Sequence, residues 1–260
     1  MPPARHVVVH RDPRLLAAAT AARLVTRLVD EQASRGEASV VLTGGVLGIA
    51  VLEALAGSPA RDAVDWRAVD VWWGDERFLP TGHPERNETQ ARVALLDRVR
   101  LDAARVHPMP ASDGPDGDDV DAAAARYAEE LAGVAAGQGR SRVPRFDVLL
   151  LGVGPDGHIA SLFPQHPATY EEERTVVGVR GAPKPPPVRV SLTFPTINSA
   201  EEVWLTTAGA DRAPIVHLAL TGVGPIQLPA AGVDGTRRTL WLLDEAAAGD
   251  ARALGRPASP

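Results

Sequence analysis

The chain has no cysteine, which excludes disulfides, thiolate nucleophiles and thiolate metal ligands outright. It has no apolar run approaching the length that spans a bilayer, so no membrane partner is expected. It has no basic excess either. The 27 Lys and Arg stand against 33 Asp and Glu, a net charge of −6, and a mildly acidic surface argues against general binding to nucleic acid or anionic lipid. A phosphorylated small molecule remains compatible, provided basic residues cluster locally. The start, Met1-Pro2-Pro3-Ala4-Arg5-His6, lacks the charged, apolar and small-residue segments of a signal peptide, so a cytoplasmic location is the expectation. No internal repeat and no clean linker is visible. What is present is 45% hydrophobic and 23% charged residues over 260 positions, the balance of an ordinary globular protein with ample chain for a core.

Short β-branched runs alternate with Ala- and Leu-rich stretches. Strands are expected at 6–10, 39–43, 69–73 and 146–151, the last being the most apolar, with a short one at 105–108. Helices are expected at 14–31, 48–56, 87–99 and 120–136. Asp12 is placed to cap the first helix and Pro13 to occupy its first position. Beyond residue 151 the pattern changes to strands at 175–179, 188–193, 202–207 and 239–243, with one helix at 211–220. Strands separated by helices imply an α/β fold with a mostly parallel sheet covered on both faces, and the strand-rich second half implies some antiparallel additions. Residues 137–144 are the best candidate boundary but read as a loop within one domain. One domain over 1–245 is therefore expected, with 246–260, rich in Ala, Gly and Pro, as a fraying tail.

Four segments carry candidate chemistry. Strand 146–151 runs into Gly152-Val153-Gly154-Pro155-Asp156-Gly157-His158. Gly152, Gly154 and Gly157 satisfy a dinucleotide fingerprint, and Glu171 to Glu173 supply acids at about the right distance for a ribose. Asp156, however, sets a carboxylate where a pyrophosphate would approach, and Pro164 cuts short any helix that Ile159-Ala160 could start. The stronger reading makes His158 a general base, since imidazole titrates near neutrality. Asp156 would orient the ring, or else cap a short helix. A second segment, Trp73-Gly74-Asp75-Glu76-Arg77, places three charges after a buried strand. They form either a solvated loop or an anion site in which Arg77 binds and Asp75 or Glu76 fixes it. Nearby His83 has no convincing metal-ligand spacing. Third, Thr43-Gly44-Gly45 opens a helix, where backbone amides can cradle a phosphate, although no Walker Lys follows. Fourth, Pro183 to Pro187 stiffen a loop that aims Lys184 and Arg189, or else form a docking segment.

These four segments together resemble the glucosamine-6-phosphate isomerase/6-phosphogluconolactonase family. The likeness rests on Gly152 to His158 with Ala160-Ser161-Leu162-Phe163-Pro164, on Gly74 to Arg77 with His83 and Asn87, and on Ala182 to Pro187 with Arg189. It spans roughly residues 6 to 244, with Trp204 and Trp241 to Asp244 in fitting places. The resemblance implies a modified Rossmann-like sheet and hydrolysis of 6-phosphogluconolactone to 6-phosphogluconate, in the oxidative pentose phosphate pathway, without a cofactor. It implies His158 as the base, and Arg77 and Lys184 as substrate ligands. The chain departs from the family pattern in two places. Thr43-Gly44-Gly45-Val46-Leu47-Gly48 stands where the family has Ser-Gly-Gly-Ser-Thr-Pro, so a phosphate cradle there relies on backbone and Thr43. Glu85-Arg86-Asn87 stands for Asp-Ser-Asn, which makes Arg86 either an extra phosphate ligand or a surface residue.

The expected site is therefore catalytic His158, Asp156 and Arg77, with Thr43, Gly44, Gly45, Asp75, Lys184 and Arg189 binding a sugar-phosphate lactone. Oligomeric state is not legible, and a monomer is the default. Two rivals remain. A sugar-phosphate isomerase or deaminase would need a carboxylate base, for which Asp75 is the candidate. A non-catalytic sugar-phosphate-binding regulator would not need His158.

Overall fold

The computed structural model describes residues 5–249. Strand β1 (Arg5–His10) leads into helix α1 (Pro13–Arg35). Asp12 caps that helix by accepting from the Leu15 amide at 2.8 Å, and Pro13 sits in its first turn. Next come β2 (Ala38–Leu42), α2 (Gly45–Ala56), β3 (Val69–Trp73), β4 (Asp75–Arg77) and α3 (Asn87–Ala94). The middle of the chain holds α4 (Val120–Gly137), β5 (Val148–Gly152), β6 (Val176–Val179) and β7 (Arg189–Leu192). It closes with α5 (Phe194–Ile197), β8 (Glu202–Thr207), α6 (Ala213–Thr221), β9 (Arg238–Asp244) and α7 (Glu245–Ala248).

Six strands form a parallel sheet in the order β1-β9-β8-β5-β2-β3. Every residue of β2, β3 and β8 is buried, which requires cover on both faces of the sheet. From β2 the chain steps outward to β3, whereas from β5 it steps the other way through β8 to β9. The reversal between β2 and β5 leaves a crevice beyond their carboxyl ends, where open α/β sheets bind ligands. A second sheet, β4-β7-β6, is antiparallel and lies against α4.

The structure differs from the sequence expectation in five places. Asp75 to Arg77 form a strand rather than a polar loop, because β7 pairs with them and distant polar groups receive their side chains. The expected helix 87–99 ends at Ala94 and is followed by a short 3-10 turn at Leu96–Arg98. Residues 105–108 contribute a single bridge, Val106 to Val71, and no strand. No helix follows His158; the Leu162 amide instead closes a turn on the Ile159 carbonyl. Finally, Ala247 and Ala248 are buried in α7, so the chain is still packed there; residues 250–260 of the expected tail lie outside the described residues. No helix among the described residues is long and apolar enough to cross a membrane.

At the amino-terminal edge of the sheet, Glu31, Asp147 and Glu201 approach one another closely enough to suggest a metal site. Three guanidinium groups stand among them. Arg35 pairs with Asp147 at 2.7 Å and also with Glu31, Arg27 with Glu201 at 3.0 Å, and Arg145 with Glu201 at 3.1 Å. The cluster is an ion-pair network joining α1 to the entries of β5 and β8.

Candidate active site

The carboxyl ends of β2 and β5 meet side by side. Thr43, just beyond β2, accepts a hydrogen bond through Oγ1 from the Gly152 amide at 3.4 Å. The chain then turns through Gly44, the N-cap of α2, and Gly45, whose φ is +81°. The first-turn amides of α2 face the crevice end of the sheet, where a helix N-terminus favours an anion. A Cβ on Gly44 would stand 1.9 Å from Asn87 Oδ1, so no larger residue fits while Asn87 keeps its place.

Beyond β5 the backbone folds back on itself. The Gly154 amide donates to the His158 carbonyl at 2.9 Å, and the Gly157 amide to the Gly154 carbonyl at 3.0 Å. This closed loop, not a helix, follows the strand, so the glycines do not form a dinucleotide cradle. They shape the seat of His158: a Cβ on Gly154 would lie 2.1 Å from the imidazole. His158 Nδ1 lies 2.5 Å from Asp156 Oδ1. Since an ionised carboxylate only accepts, Nδ1 carries the hydrogen and Nε2 the lone pair. Nε2 has no hydrogen-bond partner among the described residues. Burial works to raise the Asp156 carboxyl, but the hydrogen bond from His158 and the neighbouring Lys184 ammonium work against it, and the group is held well below the ordinary carboxylate range. The imidazole also rests on Phe163, ring centroids 4.7 Å apart.

Lys184 reaches this pair from the proline loop, with Nζ 3.4 Å from His158 Nδ1 and 3.5 Å from Asp156 Oδ1. Arg189 holds the loop in place. Its guanidinium donates to the carbonyls of Lys184 at 3.1 Å, Pro185 at 3.0 Å and Pro186 at 3.0 Å, and stands 5.7 Å over Phe163. Arg189 is buried and its donors are largely committed, so the structure gives it a loop-fixing place rather than the substrate contact expected from sequence. Asp75 is likewise enclosed. Its Oδ2 accepts from Ser161 Oγ at 2.7 Å, and Asn87 Nδ2 donates to its Oδ1 at 3.3 Å and to its carbonyl at 2.8 Å. It ties β4 to the His158 segment and to α3 rather than facing a ligand, and it does not fix Arg77.

Arg77 is half-buried at the end of β4. Its Nη1 donates to the Glu85 carbonyl at 2.6 Å, its Nε is unpartnered, and no carboxylate pairs with it among the described residues. An uncompensated guanidinium beside a crevice suits an anion. Arg86 is neither a phosphate ligand nor a surface residue. It is 1% exposed and donates to the carbonyls of Leu79, Met109 and Pro110.

The structure thus brings Thr43, Gly44, Gly45, Asp156, His158, Lys184 and Arg77 to one end of the sheet, with Asp75 and Arg189 beneath as supports. Sequence reading named Ser161, Phe163 and Asn87 only as members of motifs, and Glu76 only as an alternative to Asp75 for fixing Arg77; it gave them no contacts in this assembly. Ser161 meets Asp75 from 86 positions away, and Glu76 meets the Asn87 and Glu88 amides from 11 and 12 positions away; no local spacing signals these contacts. Cavities elsewhere, about 210 Å³ beside His166 and Arg180 and about 310 Å³ between Arg35 and Arg140, lie away from these residues. The crevice is preferred because polar groups and the strand reversal converge there. It can take a proton from water at Nε2 and hold negative charge through Lys184, Arg77 and the α2 amides.

Fold and site define an α/β protein with an Asp–His–Lys cluster at the carboxyl edge of a parallel sheet. Residues 11–241 match the sequence pattern of the family described as glucosamine-6-phosphate isomerases/6-phosphogluconolactonase. The chain is 65% identical to a 6-phosphogluconolactonase of Streptomyces coelicolor over 254 residues, covering 97% of each chain. It is 47% identical to that of Mycobacterium tuberculosis over 242 residues, 93% of this chain and 96% of the other. The solved 6-phosphogluconolactonase of Trypanosoma brucei superposes with a TM-score of 0.79 at 28% identity, over 95% of this chain and 98% of that one. The chain belongs to the glucosamine-6-phosphate isomerase/6-phosphogluconolactonase family.

Proposed function

We propose that the protein hydrolyses 6-phosphogluconolactone to 6-phosphogluconate, the lactone-opening step of the oxidative pentose phosphate pathway, with His158 as general base. The observation that carries this reading is the His158 Nδ1 to Asp156 contact of 2.5 Å, which leaves Nε2 free as the proton acceptor. The extended likeness to 6-phosphogluconolactonases supports it.

In this mechanism Nε2 takes a proton from water as its oxygen attacks the lactone carbonyl carbon. Lys184, whose Nζ lies beside the imidazole, and backbone amides stabilise the oxyanion. The tetrahedral intermediate collapses with cleavage of the ring C–O bond. The imidazolium returns its proton to the departing ring oxygen, leaving a carboxylic acid that ionises and a free hydroxyl. Arg77 and the Thr43-Gly44-Gly45 turn hold the phosphate. Side chains and water suffice for each step. The protein is read as a cytoplasmic monomer that takes no nucleic acid as partner.

Asp75, the carboxylate that would have to serve as base of an isomerase or deaminase, is 6% exposed and engaged by Ser161 and Asn87, which disfavours that rival. Assay on fresh 6-phosphogluconolactone and on glucosamine 6-phosphate separates the two: hydrolysis of the first without ammonia release from the second is expected. The reverse result would overturn the proposal, and binding without turnover of either would favour the regulator.

A further inference from the structure

One buried acid beside the site is unused by the mechanism above. Glu76 is fully buried in β4 between Asp75 and Arg77. Its Oε1 accepts from the Arg77 amide at 2.8 Å and the Asn87 amide at 2.6 Å, and its Oε2 accepts from the Glu88 amide at 2.9 Å. The last two are first-turn amides of α3, so a carboxylate from a neighbouring strand caps this helix. The same group grips the backbone of Arg77. Arg86 Nη2 stands 3.6 Å from Oε2, too far for a tight pair, because its donors serve the carbonyls of Leu79, Met109 and Pro110.

We propose that Glu76 is a positioning residue for anion binding, its carboxylate fixing Arg77 to the start of α3, so that loss of its charge loosens the grip on the substrate phosphate. The proposal rests on the reading of Arg77 as a phosphate ligand. Three backbone N–H groups converge on the two oxygens, and the ionised acid accepts from all of them more strongly than the neutral one. A proton on Oε2 would face the Glu88 amide and the Arg86 guanidinium. Burial pushes the Glu76 carboxyl up to about 7, against the Arg86 charge and the three backbone donors. The charged and titratable groups around it are Asp75 and Arg77 on its own strand, Arg86 and Glu88 at the entry to α3, Arg189 on β7 and Tyr127 on α4. The guanidinium groups keep their charge throughout, and burial pushes the Tyr127 phenol up, so it stays neutral.

Sulfate is a suitable probe because it does not titrate near neutrality. Protonation of a histidine would strengthen its binding as pH falls, whereas protonation of Glu76 weakens it. From about pH 8 to about pH 6 the sulfate dissociation constant of the wild type, followed by NMR titration, is expected to rise roughly three- to tenfold. Glu76→Gln sets an NH₂ against the Glu88 amide. It is expected to bind sulfate weakly at both pH values, and to raise KM for the lactone more than it lowers kcat. A merely structural role would reduce the folded fraction and leave KM unchanged. Arg77→Ala separates the possible failures. If Arg77→Ala loses sulfate while Glu76→Gln keeps wild-type affinity and pH dependence, this proposal is overturned and the anion site stands. If Arg77→Ala binds sulfate normally, the phosphate reading falls and takes the proposal with it. Should Glu76→Gln fail to fold, the wild-type titration decides, and binding that tightens toward pH 6 overturns the proposal.

Discussion

His158 can accept a proton from water only if its hydrogen sits on Nδ1, and Asp156 at 2.5 Å is what holds it there. Asp156→Asn offers an amide that can donate to Nδ1 and so favours the wrong tautomer. Its kcat is expected to fall by about tenfold to 10²-fold with KM little changed, as steady-state kinetics would reveal. The pair was legible in the sequence because the two residues are two positions apart in a glycine turn. The places of Asp75, Arg86 and Arg189 were not. A charged residue followed by others of its kind looks solvated, and nothing local shows that Arg86 will meet carbonyls at Leu79, Met109 and Pro110. Arg86→Ala would strand those carbonyls and leave Glu76 buried without its nearest cation. A loss of about 3 kcal/mol in denaturant unfolding is expected.

At the scale of elements, the sequence revealed nearly every strand and helix of the large sheet, since β-branched runs and Ala/Leu periodicity are local properties. It did not reveal β4, because three consecutive charges form a strand only when β7 and side chains from α3 and the 158–163 segment receive them. Nor did it show that the glycine turn ends in a closed loop without a helix, which is what separates a seat for a base from a nucleotide cradle. Gly154 is the discriminating position. A dinucleotide site would want it for the approach of a phosphate, whereas here its missing Cβ makes room for the imidazole. Gly154→Ala should therefore fold, since only the side chains of His158 and Asp156 must move, yet displace His158 from Asp156. A fall in kcat of at least about tenfold is expected with an unchanged circular dichroism spectrum. Retained turnover would mean that the ring does not need its present seat.

For the whole molecule, alternation of strands and helices implied a parallel sheet, but its order did not follow from sequence. Reading 1–245 as one domain predicts a single cooperative unfolding transition. Its pH dependence has a local marker. His107 lies between Glu130 at 2.7 Å and Asp70 at 3.5 Å, stacked on Trp72. Burial opposes its charge, but the two acids outweigh burial and raise its pKa above the ordinary 6.5. Its charged form therefore stabilises the fold fully below about pH 6.5, and that contribution is lost as pH rises through the folded-state value. The stability advantage of wild type over His107→Gln should accordingly shrink as pH rises above about 6.5 in denaturant titrations. The measurement that tests the central claim most directly is alkali uptake on freshly made 6-phosphogluconolactone, wild type beside His158→Ala. The prediction is rapid hydrolysis by wild type and a kcat lower by about 10²–10⁴-fold in the variant at similar KM; near-normal turnover without His158 would contradict it.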